Sequence, residues 1–261
     1  TEIYTLSLHD ALPICLRSAQ SEMRVGLQRI NFGTAKILRP LQWFDQINPL
    51  DASQETTGVE AALLRQYWLN NTNLWLWAVK GESTLKGNEF LNSKNDSAEI
   101  GGRIQLPTPL GETAISYHQR TLSKGYEYRA GWDHRLDSVL GIWTETATSI
   151  FTDNDHEQKN NLSATLGLDY AIPIGNGIAV TLENMWQTDK QSSGIYSAVL
   201  LNYSLGLLDI VSTLYIYEWE NNKSLCVGTW QRTYDYLALE LSAKHYTDGD
   251  LSLMLKLSLN Y

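Results

Sequence analysis

The sequence predicts an all-β protein, an antiparallel up-and-down transmembrane β-barrel, and three observations carry that prediction. Apolar and polar residues alternate with period two up to the last residue. Over 252–261, Leu253, Leu255, Leu257, Leu259 and Tyr261 take one face and Ser252, Met254, Lys256, Ser258 and Asn260 the other. Successive strand side chains point to opposite faces, so each such segment has one greasy and one wet side. About fourteen segments of this kind follow one another, each near the ten residues that a tilted strand needs to cross a bilayer. The third observation is the aromatic content, 9 Trp and 14 Tyr against 4 Phe. It favours rings with a polar edge, which sit between hydrocarbon and water.

Taken in order, the alternating segments run over approximately 23–33, 59–69, 73–81, 99–107, 112–122, 126–136, 138–149, 162–173, 177–188, 196–207, 210–220, 224–234, 237–247 and 252–261. The turns at 70–72, 108–112, 136–137, 174–176, 207–209 and 234–236 are tight, while 36–58, 81–99, 151–161 and 188–196 are longer, and the two sets largely alternate. Outer-membrane barrels have short turns at one rim and longer loops at the other, so a meander of this kind places every long connection outside. The hairpins at 123–125, 220–223 and 247–250 are short for that side. The densest apolar stretch, 196–217, is nearly long enough for a transmembrane helix. Asn202 and Asp209 interrupt it, it is rich in β-branched and aromatic residues, and a turn signal at 206–209 divides it into two strands. Segments 59–69 and 74–80 carry apolar residues on both faces and do not sort.

A chain of 261 residues suits one barrel domain. A net charge of −9, with no cluster of Lys and Arg, excludes nucleic acid as a partner. The first fourteen residues, TEIYTLSLHDALPI, resemble the in-frame translation of a common sequencing adapter. They are set apart as a non-structural scar, which leaves 15–261 as the barrel and removes the His9–Asp10 pair from any catalytic reading. The leftover base would open the codon of Cys15, so Cys226 is the one secure thiol and no disulfide framework follows. A reading frame opened by an adapter is expected to be cut at its 5′ end, with further strands and any export signal upstream.

Alternation places Arg103, His118, Arg120, Glu127, Arg129, Asp133, Arg135, Asp169, Glu183, Arg232, Glu240, Lys244 and Lys256 on the polar side of their segments. Both signs are interspersed on neighbouring strands, so these residues are expected to line a wet lumen and to form cross-strand ion pairs there. Mixed signs predict weak ion selectivity.

One stretch reads as more than scaffold. Over 24–51, RVGLQRINFGTAKILRPLQWFDQINPLD, a strand gives way near Gly33 to a connection carrying Leu38, Leu41, Trp43, Phe44, Ile47 and Leu50. So many large apolar groups do not dangle in water, and the inner wall is the place where they can pack. The segment resembles a pattern of Gram-negative porin-like outer-membrane proteins, Q-x-I-x-x-G followed by P-x-x-x-F and N-P-x-D, at Gln28, Ile30, Gly33, Pro40, Phe44, Asn48, Pro49 and Asp51. The resemblance covers about a tenth of the chain and implies a channel-like barrel in the bacterial outer membrane. It implies a bilayer and lipopolysaccharide around the protein, small hydrophilic solutes passing through it, and room for oligomers. It brings no catalytic residue, cofactor or metal. An inward-folding loop at about 36–58 is expected to constrict the channel through Arg39, Trp43, Phe44, Asp45, Asn48 and Asp51. The bland alternative is a rim loop with no role in transport.

Other candidates are weaker. Asp153, Asp155 and Glu157 around His156 alternate as calcium ligands can, but lack the glycine and closing glutamate of an EF-hand, so a solvated acidic loop is the expectation. Ser116 and His118 share a face as a hydrolase pair would, without an identifiable third group. A barrel hydrolase would need His118 and His245 brought together at one rim. A soluble carbohydrate-binding β-sandwich would need leucine rows of two sheets packed on each other.

Overall fold

In a computed structural model of the chain, the described residues form sixteen strands joined in one antiparallel sheet in chain order. They are β1 (Ile3–Tyr4), β2 (Ile14–Arg17), β3 (Ser21–Gln28), β4 (Val59–Tyr67), β5 (Asn73–Lys80), β6 (Ala98–Thr108), β7 (Gly111–Thr121), β8 (Tyr126–Asp137), β9 (Gly141–Thr152), β10 (Gln158–Ile172), β11 (Ile178–Thr188), β12 (Ser193–Ser204), β13 (Asp209–Glu218), β14 (Lys223–Thr233), β15 (Leu237–Tyr246) and β16 (Leu251–Leu259). The structure describes residues 3–4, 14–46, 50, 56, 58–152, 158–188 and 193–259. Strands β3 to β16 fall on the alternating segments, while β1 and the first residue of β2 lie in the adapter-like stretch. The stretch 196–217 is β12, a turn and β13, and among the described residues no helix is long and apolar enough to cross a membrane.

Each described pairing joins chain neighbours, as short turns between antiparallel strands require. Alternating strand directions sort the connections onto two rims. Those at 68–72, 109–110, 138–140, 173–177, 205–208 and 234–236 share one rim, and those at 29–58, 81–97, 122–125, 219–222 and 247–250 share the other. The two longest of these, 29–58 and 81–97, therefore leave from the same side.

The two faces are sorted in the opposite sense to a soluble protein. Glu99, His118, Glu145 and Glu183 are 0% exposed, while Ile115, Leu166 and Leu253 of the alternate rows are 60%, 61% and 73% exposed. In water that arrangement is doubly unfavourable, because charge is desolvated and hydrocarbon is wetted. Against lipid the exposed leucine rows are the favourable ones. Strands touch only their chain neighbours, so among the described residues no second layer of protein covers the apolar rows, and the β-sandwich alternative does not fit. A sheet of this many twisted strands curls, and the charged rows lie on its inside with residues 29–46 folded against them. Its edges among the described residues are β1 and β16.

The segments that do not sort by sequence now have a reason. Val59, Ala61 and Leu63 of β4 and Trp77 and Val79 of β5 are inner-row residues, and they are apolar because Ile30, Phe32, Leu41, Trp43 and Phe44 pack on them. These strands are apolar on both faces because protein covers the inner row while the outer row continues the bare apolar rows of the sheet.

Candidate functional site

The described residues of the 29–58 connection, above all 29–46, cross the inner wall as a strap. Its apolar residues Ile30, Phe32, Leu41, Trp43 and Phe44 form one cluster with the inner rows of β4 and β5. Phe32 stacks on Trp77 with ring centroids 5.3 Å apart, and Phe44 meets the His118 ring edge to face at 5.0 Å. Each fully buried side chain of this size contributes about 1.5–3 kcal/mol.

Burying an irregular segment leaves main-chain N–H groups in need of partners. Two wall carboxylates supply them. Glu145 of β9 accepts from the N–H groups of Thr34 and Ala35, both at 2.8 Å, and of Leu41 at 2.6 Å. Glu183 of β11 accepts from Lys36 at 2.6 Å, Ile37 at 2.9 Å and Leu38 at 2.6 Å, and from the Trp143 indole at 3.0 Å. The Thr165 hydroxyl donates to the Leu38 carbonyl at 2.8 Å. Two glycines make the approach possible. Gly33 has φ of +99°, and a Cβ there would meet the Glu145 carboxylate. Gly131 in the inner row of β8 leaves the space that Leu41 occupies.

The second long connection, 81–97, closes over the strap from the same rim. Asn88 donates its backbone N–H to the Gln42 carbonyl and its side-chain amide to the Arg39 carbonyl, each at 2.8 Å. Lys86 reaches Glu99 at 2.5 Å and Glu89 lies 3.1 Å from Arg120.

The charged residues read from the sequence divide into three groups. Arg103, His118, Arg120, Glu127, Arg129, Asp133 and Glu183 are inner-row residues, but they are buried beneath the strap and 81–97. Arg103 grips Asp133 with two bonds of 2.5 and 2.9 Å and Ser116 with a third of 3.1 Å. Arg120 and Arg129 both bond Glu127, and Arg120 also donates to the Leu91 carbonyl at 2.8 Å. The His118 Nδ1 accepts from the Trp77 indole at 3.2 Å. Ser116 and His118 are thus engaged elsewhere, and His245 lies on the outer row of β15, so the hydrolase reading lacks its geometry.

The second group is accessible. Arg135 and Asp169 are partly exposed, 3.4 Å apart, and Asp169 is shared with Lys36 of the strap. Glu240, Lys244 and Lys256 stand on the inner rows of β15 and β16, partly exposed. Arg232 is the third case and a correction. The pairing puts it on the row of Trp230, opposite to that of Val227 and Thr229, where it lies 3.8 Å from Asp209 at the short-turn rim. A long basic side chain beside a rim can reach water from the lipid side.

Of the strap residues named from the sequence, Arg39, Trp43, Phe44 and Asp45 are tucked underneath rather than facing the open interior. Trp43 and Phe44 are in the core cluster. Arg39 donates to the Phe32 carbonyl at 3.1 Å. Asp45 accepts from Thr56 at 3.2 Å and lies 3.9 Å from Arg29. Burial pushes the Asp45 carboxyl up to about 6, against the pull of Arg29 and Arg39, and burial likewise raises Glu89 against Arg120 and Arg129. Asn48, Asp51, the 153–157 cluster and Tyr261 lie outside the described residues. Sequence reasoning missed Glu145 and Lys36. The signal for Glu145 was its parity with Trp143 and Ala147. Also missed was Glu22, which gathers Arg17 at 2.8 Å, Arg24 at 2.7 Å and Arg65 at 3.7 Å on β2–β4.

An antiparallel meander with charged inner rows, apolar outer rows and a strap folded across its inner wall has the fold of Gram-negative outer-membrane porin barrels. Solved structures of such barrels superpose on it. OccAB1 of Acinetobacter baumannii matches with a TM-score of 0.61 at 10% identity, over 95% of this chain and 76% of that one. OccK8 (OprE) of Pseudomonas aeruginosa matches with 0.53 at 10%, over 95% and 80%. The anion-selective porin of Comamonas acidovorans matches with 0.54 at 11%, over 93% and 71%. No family model and no curated protein sequence matches the chain.

Proposed function

We propose that the chain is a diffusion channel of the bacterial outer membrane that passes small hydrophilic solutes. The observation that carries this reading is the inverted sorting of the two faces, with Glu145 and Glu183 buried inside and leucine rows bare outside. A wall of that kind needs lipid outside and encloses a polar interior, with lipopolysaccharide facing the rim of long connections. The strap narrows that interior, and no chemistry is required of it. The solved structures that resemble the chain fit the reading, one of them being an anion-selective porin. Here the accessible inner charges have both signs, Lys36, Arg135, Lys244 and Lys256 with Asp169 and Glu240, which supports weak selectivity. Planar-bilayer recording after refolding tests this. Discrete conductance steps with a small reversal potential in a salt gradient are expected, and a chain that inserts without conducting overturns the proposal.

A further inference from the structure

The inner wall of β12–β14 differs from the charged wall of β6–β9. Its inward positions include Leu200, Leu214, Ile216, Leu225 and Val227, with no charge at these sites, and Ile37 and Leu50 of the strap pack on only part of them. Beside this contact opens a cavity of about 240 Å³, floored by Leu214 and Val227 and edged by Ser242 and Lys244, with Glu240, which stands opposite Lys256, at its margin. An apolar cavity of about 150 Å³ suffices to hold benzene, so the space admits a hydrocarbon group of roughly six carbons.

Hydrocarbon facing a wet channel is unfavourable unless something apolar meets it. Two polar groups say what else the occupant carries. Ser242 is 2% exposed and its hydroxyl has no partner. Lys244 stands across from Val227 and Ser252 with no carboxylate opposite, whereas Glu240 faces Lys256 directly.

We propose that this groove is a subsite for solutes in transit that join a short hydrocarbon group to an anionic head. The hydrocarbon rests on Leu214 and Val227, and the head meets Lys244 and the Ser242 hydroxyl. The inference rests on the channel reading and adds a solute preference to it.

Single-channel recording with methanesulfonate, butanesulfonate and hexanesulfonate tests it. Residence time is expected to rise about two- to fourfold per added methylene, the range expected for partial to full burial of each. Hexylammonium is expected to dwell more briefly than hexanesulfonate. Val227→Ser is expected to flatten the chain-length dependence. Lys244→Gln is expected to shorten all three sulfonate dwell times alike. Dwell times independent of chain length in a channel of normal conductance overturn the subsite and leave the channel standing. The absence of any conductance overturns the channel reading itself. Equal dwell of hexylammonium and hexanesulfonate overturns the assignment of the head to Lys244. The wild-type series decides the matter even where a variant does not refold.

Discussion

Glu145 and Glu183 each serve three strap amides. Hydrogen bonds to a charged acceptor contribute about 1.5–3 kcal/mol, and an amide oxygen accepts more weakly. Glu145→Gln is therefore expected to loosen the strap by about 1–3 kcal/mol without unfolding the sheet. The readout is larger or noisier open-channel current with an unchanged thermal transition. A second prediction concerns Asp45, whose carboxyl is raised from 3.8 to about 6 by burial. A raised carboxyl favours the protonated, docked strap, so docking is tightest below about pH 4. It weakens as pH rises through the window up to about 6 and is level above it. The shift corresponds to at most about 3 kcal/mol. Amide exchange in residues 29–46 should accelerate across that window, and Asp45→Asn should remove the dependence. Exchange that slows with rising pH, after correction for the intrinsic rate, contradicts the assignment.

At the level of the strand, the outer rows make a prediction that a soluble protein would not share. Leu166 lies midway along β10 and is 61% exposed. Replacing an exposed leucine by arginine in a soluble protein changes stability by about 0.5 kcal/mol or less. On a lipid-facing row near mid-bilayer it costs about 2–4 kcal/mol. Leu166→Arg, unfolded by denaturant from lipid vesicles, is expected to show the larger loss, and a loss within experimental error contradicts lipid contact. The strands were legible because period two and turn residues are local signals, and all the alternating segments from 23–33 onward became strands. Inner placement of Arg103 or Asp133 followed from the same parity. Arg232 did not, because beside the rim turn at 234–236 a charged side chain on the lipid row still reaches water, so polarity stops reporting the face. The strap's seat was not legible either. Backbone amides bonded to carboxylates more than a hundred residues away leave no pattern in either segment.

For the molecule as a whole, stability comes from three sources on two sides of one sheet: pairing between chain neighbours, lipid on the outer rows, and the strap with 81–97 on the inner ones. Of these, lipid is the one an experiment can withdraw cleanly. Refolded protein diluted out of detergent is expected to precipitate, measured by light scattering, and a monodisperse solution contradicts the fold's assignment to a membrane. The inner contacts also explain why the charges foreseen as lining divide unevenly. The half from β6 to β9 is filled by protein, so its arginines and glutamates hold the filling in place. From β13 to β16 the wall is covered only in part, by Ile37 and Leu50, and the rest is open.

The strap hangs from two pegs by its main chain over positions 34 to 38, and side chains such as Lys36, paired with Asp169, and Ile37, packed on the β12–β14 wall, add to an attachment that the backbone already makes. In the proposed channel, such a segment would act as an exchangeable cartridge: substitutions at its exposed positions would change what a passing solute meets, while the mounting on Glu145 and Glu183 stays the same.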